Sequence, residues 1–545
     1  MSGSMRIKLR SFVAGAVGMV VAFGIVELVH GLYQPVPSVL MAVAQRIIEF
    51  TPGGFATRAV EILGKADIPL LITFTLISTL ALAGLLAYLS RGSLLIALIG
   101  VGILAAVALA ASFTEPSVDP VATVLTVVGA LCVGGAVAYF LLHVSELLIS
   151  KPVSSPESSE PESEPRSEGV RSREAHSARG IAVPRRNFLL LSGSAAVVGL
   201  AAGGAGRLLG GKGAQEVSTA APLELGASAS VPEILPTPPP EASINVSGMP
   251  PLITPAEDFY LIDTAITSPR INVDSWTLKV MGEVDNPIEL SYNDLISLPT
   301  READVTLSCI SNEVGGGLVS NGRWTGVLLS DVLAEAGVSR DKINSASEQL
   351  VGRSVDGWTA GFRTDIALDG REALVAFGLN GSELPLDHGY PVRLVVPGLY
   401  GYVSATKWLT EIELTDWDFD AYWIQRTWSK EGPIVTQSRI DTVKDGSNLS
   451  AGTVPIGGIA WAPHRGIDRV EVSTDEGETW NDAKLAAQLD IDTWRQYVYD
   501  WVAQPGDYTL KVRATDGYGE TQTEEESRPH PSGATGYHTV EVRVA

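Results

Sequence analysis

The sequence predicts a multi-domain chain: an N-terminal α-helical region that crosses a membrane, a mixed α+β domain, and a closing antiparallel β-sandwich. Three observations carry that prediction. Apolar stretches near 11–31, 67–89, 93–113, 119–142 and 187–207 are each long enough to cross a bilayer, which takes about 20 residues. From about 244 the pattern changes to strands, turns and short helices. From about 430 short strands follow one another at near-regular spacing.

Composition agrees. The 545 residues carry a net charge of −23 beside 45% hydrophobic content, and the mean hydropathy is +0.19. That combination fits an oily part joined to an acidic, water-facing part. An acidic balance argues against a nucleic-acid partner, which needs a basic face. With two cysteines, Cys132 and Cys309, there is no disulfide framework. The boundaries read as a four-helix membrane region at 1–150, a linker at 151–186 and a fifth helix at 187–207. A Gly/Pro-rich linker follows at 208–243, then the α+β domain at 244–429 and the sandwich at 430–545.

Orientation follows from basic residues, which favour the cytoplasmic side. Arg6, Lys8 and Arg10 place the N-terminus in the cytoplasm, and the Arg91 turn and the 151–186 loop fall on that side too. The acidic loop FTEPSVDP falls outside, so the fifth span delivers everything after about 210 to the extracytoplasmic face. Cys132, among apolar neighbours, reads as a small buried hydrophobe. His30 and His143 fall at opposite membrane faces by this topology and cannot share one haem.

The 151–186 loop holds too few apolar residues to offset its ordering entropy and reads as disordered. It ends in Pro184-Arg185-Arg186-Asn187-Phe188-Leu189-Leu190, which resembles a twin-arginine export signal placed internally. An ordinary positive-inside anchor would show the same two arginines. The 208–243 linker, ending PEILPTPPPEA, reads as a semi-extended spacer that lifts the next domain off the membrane.

In the α+β part, WTLKVMGEV alternates with period two and predicts a strand. SYNDLISL and LLSDVLAEAG predict short helices, the second ending at Gly337. LPLDHGYPVRLVVPGLYGYV predicts a strand-rich run broken by Pro and Gly. Beyond it, GGIAWAP, DRVEVSTDEGETW, WRQYVYDWV and DYTLKVRATDG predict the strands of an immunoglobulin-like sandwich without its disulfide, with Trp461, Trp480 and Trp501 as core anchors.

Two clusters could carry chemistry. Cys309 in TLSCISNEVGGG is a lone thiol followed by polar and glycine residues, as expected where backbone must approach a ligand. It is either an inert buried thiol or a ligand for a soft metal. One cysteine is too few for a cysteine-ligated zinc or iron–sulfur site, so such a metal would bring most of its own ligands, as in an organic cofactor. The second cluster is His388, Arg393, Ser404, Thr406 and Lys407 with Gly398 and Gly401, a set suited to an anionic, phosphate-bearing ligand. The chain has no P-loop, no GxGxxG and no GxSxG element.

These residues, with the order HGYPVRLVVPG, Lys407-Trp408 and YWIQRTW, resemble the sulfite oxidase family of molybdopterin enzymes. The VEVSTDEGETW and DYTLKVRATDG segments resemble that family's C-terminal dimerisation domain. The resemblance covers about 245–545. It implies a sulfite-oxidase-type molybdopterin domain, with Cys309 as the thiolate ligand of molybdenum and oxygen-atom transfer as the reaction. His388 and Arg393 match its pterin-phosphate contacts, Ser404, Thr406 and Lys407 its closing loop. Tyr260 matches an early cofactor-contacting segment, and Ser354 or Asp356 another contact. Asn312 belongs to the Cys-x-x-Asn unit, and Trp428 stands where sulfite oxidases carry an active-site tyrosine. Two departures bear on substrate, Trp428 and Glu313. Glu313 replaces an arginine that helps bind the anion, and a desolvated carboxylate there would repel sulfite. Apart from substrate, the loop YGYVSATKW is one residue longer than in animal sulfite oxidases, which bears on the roles of Ala405 and Thr406.

The resemblance further implies a small-molecule substrate, a separate electron partner such as a cytochrome (no CxxCH motif occurs), membrane lipid around the helices, and a homodimer through the C-terminal domain. A sulfoxide-type reductase is the alternative within the enzyme reading. A metal-free, membrane-tethered binding module stands outside it, and a transporter is disfavoured by the near absence of ionisable residues in the spans.

Overall fold

The computed structural model describes residues 3–52, 66–90, 93–115, 118–147, 185–218 and 234–545, with isolated positions between them, and the chain divides into two compact units. The disorder expected for the 151–186 loop concerns residues that lie almost wholly outside those described.

The N-terminal unit holds α1 (Gly3–Leu32), α2 (Val39–Phe50), α3 (Asp67–Leu89), α4 (Leu94–Ser112), α5 (Pro120–Leu147) and α6 (Arg185–Ser218). Among the described residues five helices are long and apolar enough to cross a membrane: Leu9–Leu32, Asp67–Leu89, Leu95–Ser112, Pro120–Leu142 and Phe188–Leu209. These coincide with the predicted spans. Helix α1 is the hub, because its small residues let neighbouring backbones close in. A Cβ on Gly18 would overlap the carbonyl of Gly134 in α5, and one on Gly24 that of Gly199 in α6. Near the α1 C-terminus Tyr33 donates to Asp119 at 3.0 Å, while Val17 shares a cluster with Leu141, so α5 runs antiparallel to α1. Arg10 lies 5.6 Å from the Phe188 ring and Glu27 lies 3.6 Å from Arg207, so α6 runs parallel to it.

Three expectations change here. Cys132 faces out of the bundle instead of into it, where lipid would supply the apolar surroundings. Helix α2, which period-based reading of the spans passed over, buries Val39, Leu40, Ala42 and Ala44. The proposed spacer is helical as far as Ser218, and its Pro-rich end is laid onto the α+β part of the second unit. Proline carbonyls point outward in an extended chain, and Arg323 donates to Leu235 O at 3.2 Å and Pro236 O at 3.0 Å.

In the second unit the strands of the α+β part are β1 (Thr277–Gly282), β2 (Ile288–Ser291), β3 (Thr300–Ser308), β4 (Val319–Leu328), β5 (Gln349–Ser354), β6 (Thr359–Arg363), β7 (Leu374–Leu379), β8 (Ser382–Glu383), β9 (Arg393–Val395) and β10 (Leu409–Thr415). One sheet has the order β2-β1-β10-β5-β6, the other β3-β4-β7-β8 with β9 paired to β7. The predicted helices form at Tyr292–Ser297, held by a capping box of Ser291 and Asp294, and at Leu329–Glu335, after which Gly337 takes a left-handed φ of 77°.

The last strands are β11 (Gln437–Ile440), β12 (Ser447–Leu449), β13 (Gly452–Trp461), β14 (Ile467–Ser473), β15 (Asn481–Asp482), β16 (Lys484–Leu485), β17 (Arg495–Ala503), β18 (Gly506–Asp516) and β19 (His538–Val544). They form two sheets, β11-β13-β17-β16 and β12-β19-β18-β14-β15, around a core of Ile456, Val472, Tyr497, Leu510 and Val540. Strand β13 works on both faces. Ile456 and Ala460 enter this core, whereas Ile459 and Trp461 enter the core of the α+β part. Apolar packing is therefore continuous across residue 430. Trp461 and Trp501 are buried as expected, but Trp480 is partly exposed, with Arg513 4.2 Å above its ring.

Candidate active site

Cys309 follows β3 at the mouth of a hairpin whose last sheet pair is Ser308 with Val319. Its N–H donates to Leu318 O at 2.9 Å and its carbonyl accepts from Asn312 N at 3.1 Å. The thiol is buried, which raises its pKa, and hydrogen bonds from the Ser311 backbone and side chain work against that rise. Asn312 is buried and both ends of its amide are used within the protein. Oδ1 accepts from Leu318 N at 2.7 Å and Nδ2 donates to Gln437 Oε1 at 3.3 Å. Glu313 is exposed, so the desolvation that would make its carboxylate repel an anion strongly is absent.

A cationic cradle is built from three adjoining turns. Arg393, at the start of β9, is 3% exposed, with its guanidinium 5.0 Å from the Trp324 ring centroid. It donates to His388 O at 3.0 Å and Leu394 O at 3.3 Å, and no carboxylate lies within ion-pair distance among the described residues. Burial pushes its pKa down to about 10. Lys407 is paired with Asp263 at 2.9 Å and also donates to Asp387 O at 2.7 Å. Burial lowers the Lys407 pKa and raises that of Asp263.

His388 lies between them. Its Nε2 faces Ala256 O at 3.1 Å, its ring meets Phe259 edge-on at 5.7 Å, and Nδ1 is buried with no partner. Burial first, then the charges of Lys407 and Arg393, push the imidazole down to about 3, so the ring is neutral. Gly389, at φ 107°, packs against Lys407 and Arg393 where a side chain would crowd both. Ser354, at the end of β5, has a buried hydroxyl with no partner. Asp356 instead caps its own turn, accepting from Trp358 N at 3.0 Å.

The remaining predicted residues divide. Tyr260 donates its N–H to Ser320 Oγ at 3.0 Å, and its buried phenol, held above its usual pKa by burial, feels Cys309, Arg393 and Asp263. The structure thus brings Tyr260, Arg393, Lys407 and Cys309 into one electrostatic neighbourhood. Ser404 and Thr406 spend their hydroxyls on backbone carbonyls, of Tyr400 at 3.0 Å and Gly352 at 3.4 Å. Trp428 sits in an aromatic box, with Trp423 at 6.1 Å, Tyr402 at 6.0 Å and His530 at 5.1 Å, and its buried Nε1 has no partner.

Sequence reasoning missed Asp263, Tyr400 and His530. Asp263 lies in EDFYLIDT beside Tyr260, but an acidic residue is not an obvious member of an anion site. Tyr400, in PGLYGYV, is buried and within electrostatic reach of Cys309.

This donor set fits an anionic, metal-bearing organic cofactor. A buried guanidinium without a carboxylate, an orphaned imidazole nitrogen and an orphaned hydroxyl are costly unless a ligand satisfies them, and the single thiol fits a soft metal carrying its other ligands.

Comparison with known proteins agrees. Residues 265–423 match the oxidoreductase molybdopterin binding domain, and residues 429–525 match the Mo-co oxidoreductase dimerisation domain. Mitochondrial sulfite oxidase of Rattus norvegicus is 32% identical over 274 residues, 43% of this chain and 50% of that protein. The Homo sapiens protein is 33% identical over 271 residues, 43% of this chain and 49% of that one. Sulfite oxidase of Arabidopsis thaliana is 28% identical over 277 residues, 42% and 70%. The chain therefore spans about half the length of the mitochondrial relatives it matches. Among solved structures, the sulfane dehydrogenase SoxCD from Paracoccus pantotrophus aligns with a TM-score of 0.47 at 23% identity, covering 56% of this chain and 86% of that one. The second unit thus holds a molybdenum oxidoreductase region that takes molybdopterin as its cofactor. Residues 265–423 and 429–525 carry these two domains, and this part of the chain is similar to sulfite oxidases.

Proposed function

We propose that the chain is a membrane-anchored enzyme that performs oxygen-atom transfer, in the manner of sulfite oxidase, on the extracytoplasmic face. The observation that carries this is the buried Arg393 guanidinium with no carboxylate, next to His388 and Lys407 and in the same electrostatic neighbourhood as the one thiol of the domain. The bound cofactor supplies two-electron oxygen-atom chemistry at molybdenum. Cys309 holds the metal, Arg393 and Ser354 hold the anionic tail, and His388 accepts or donates there through Nδ1. Lys407 and Asp263 set the charge beside them, and Ser404 and Thr406 brace the loop that carries Lys407. Trp428 shapes the approach to the site, and Asn312 fixes the Cys309 loop without touching substrate.

Further parts of the proposal concern the whole protein. Five helices anchor it with the N-terminus in the cytoplasm, Arg185 and Arg186 belong to a twin-arginine-type signal, and 430–545 is an immunoglobulin-like domain through which two chains associate. Electrons pass to or from a separate carrier. A sulfoxide-type substrate is the second reading, favoured by the aromatic box around Trp428.

The test is metal and pterin analysis of the full chain in mild detergent, produced in a host that makes molybdopterin. We expect about one molybdenum per chain, with an altered Mo(V) EPR signal in Cys309→Ser. A folded protein that takes up neither molybdenum nor pterin would sink the enzyme reading and leave a binding module.

A further inference from the structure

The Cys309 loop has no sheet partner of its own between Ser308 and Val319, and besides bonds within the loop it is held by side chains from the other end of the chain. Gln437, on β11, accepts from Asn312 Nδ2 at 3.3 Å and donates from its own amide to Ala534 O at 2.9 Å. Two residues on, Arg439 donates to Gly316 O at 2.6 Å while its Nε is paired with Asp441 at 2.8 Å. His538, at the start of β19, packs against Gly315: a Cβ there would overlap the imidazole at Cδ2 and Nε2, and Gly315 sits at φ 75°. The imidazole is fixed in turn, because Ile440 N donates to its Nδ1 at 3.0 Å. Each contact reaches a different residue of the loop, and each side chain is anchored on its far side.

We infer that Gln437, Arg439 and His538 of the C-terminal sheet are positioning residues for the Cys309 thiol. The path is short. Gln437 holds Asn312, Asn312 Oδ1 holds Leu318 N, and Leu318 O holds Cys309 N. A side chain that is hydrogen-bonded at both ends transmits the place of its strand to its partner, whereas a chain of loose contacts does not. The domain matched as a dimerisation domain thus has a second task, presenting the thiol at a fixed place. None of the three residues touches the reacting atoms.

The inference rests on the proposal that Cys309 is the metal thiolate, and two readouts keep the two apart. The first needs no cofactor. In full chain carrying Cys132→Ser, made without molybdopterin, the rate at which a maleimide alkylates Cys309 reports how firmly the loop is held. Arg439→Ala and Gln437→Ala should each speed alkylation by about tenfold, the factor that a lost charged or buried hydrogen bond is worth. Gln437→Glu, which keeps an oxygen facing Asn312 but loses the donor to Ala534 O, should speed alkylation as well, because the far-side anchor is gone. Arg543→Ala, which removes an exposed pair with Asp507 on the same sandwich, should change nothing. The second readout is the Mo(V) EPR signal of loaded protein, which should shift in Arg439→Ala and not in Arg543→Ala.

Unchanged alkylation and an unchanged spectrum in both alanine variants overturn the inference. So does an equal acceleration in Arg543→Ala, which would mean general loosening. If Arg439→Ala does not fold, Gln437→Ala read beside Arg543→Ala decides. Were Cys309→Ser to keep the wild-type EPR signal while alkylation still answered to Gln437 and Arg439, the ligand assignment would fail and the positioning would stand.

Discussion

At the scale of single residues, His388 links charge to stability. Its folded pKa of about 3 lies below the ordinary 6.5, so as pH falls the unfolded chain binds the proton first. The contribution is whole above pH 6.5 and is lost on the way down to about 3, up to on the order of 5 kcal/mol by linkage. Thermal midpoints of cofactor-free protein should therefore fall between those limits more steeply for the parent than for His388→Asn, and equal slopes would contradict the buried neutral ring. Asp263 makes a second case. It is the carboxylate paired with the buried Lys407, so Asp263→Asn leaves that ammonium without its ion-pair partner at a cost of about 3–5 kcal/mol. Inorganic phosphate should restore part of that loss, by supplying the missing negative charge. A thermal midpoint unmoved by the substitution would show that Lys407 is already solvated.

Among the secondary-structure elements, what the sequence revealed and what it hid have physical reasons. Alternation in WTLKVMGEV and the capping residues of SYNDLISL act within a few residues, and both elements form where expected. The run LPLDHGYPVRLVVPGLYGYV yields only the three-residue β9, because Gly389, Pro391 and Gly398 turn the chain around the cradle. Cys309, His388, Arg393 and Lys407 could be singled out by residue type and order. Asp263 and the hold of Gln437 on Asn312 could not, since the latter joins positions 125 apart. Trp461 and Trp480 show the same limit. Both sit in strand-like contexts, but only Trp461 enters the shared core. Trp461→Ala should cost about 3–5 kcal/mol by cavity formation. Trp480→Ala, with Arg513 stacked over a partly exposed ring, should cost under about 1 kcal/mol. Denaturation of the two variants side by side checks the contrast, and similar losses would refute it.

For the whole molecule the decisive quantity is the direction of α6, because it fixes which side of the membrane the site faces. On charge bias alone the N-terminus is expected inside. Packing adds an independent constraint: with Arg10 beside Phe188 at one end and Glu27 beside Arg207 at the other, α6 must run the same way as α1. If α1 leads outward, so does α6, and the acidic outer unit follows it. A reporter fused after residue 150 should then be active only if it works in the cytoplasm, and one fused after the outer domain only if it works outside. Arg185→Lys with Arg186→Lys separates the two explanations of the paired arginines. Both substitutions keep the positive charge, so an ordinary positive-inside anchor would still export the outer domain. A twin-arginine signal would not, and the site would stay protected from protease added outside while the first four helices inserted normally. Unimpaired export would leave the charge rule as the sufficient cause, and it would remove the need for the cofactor to be loaded before the domain crosses.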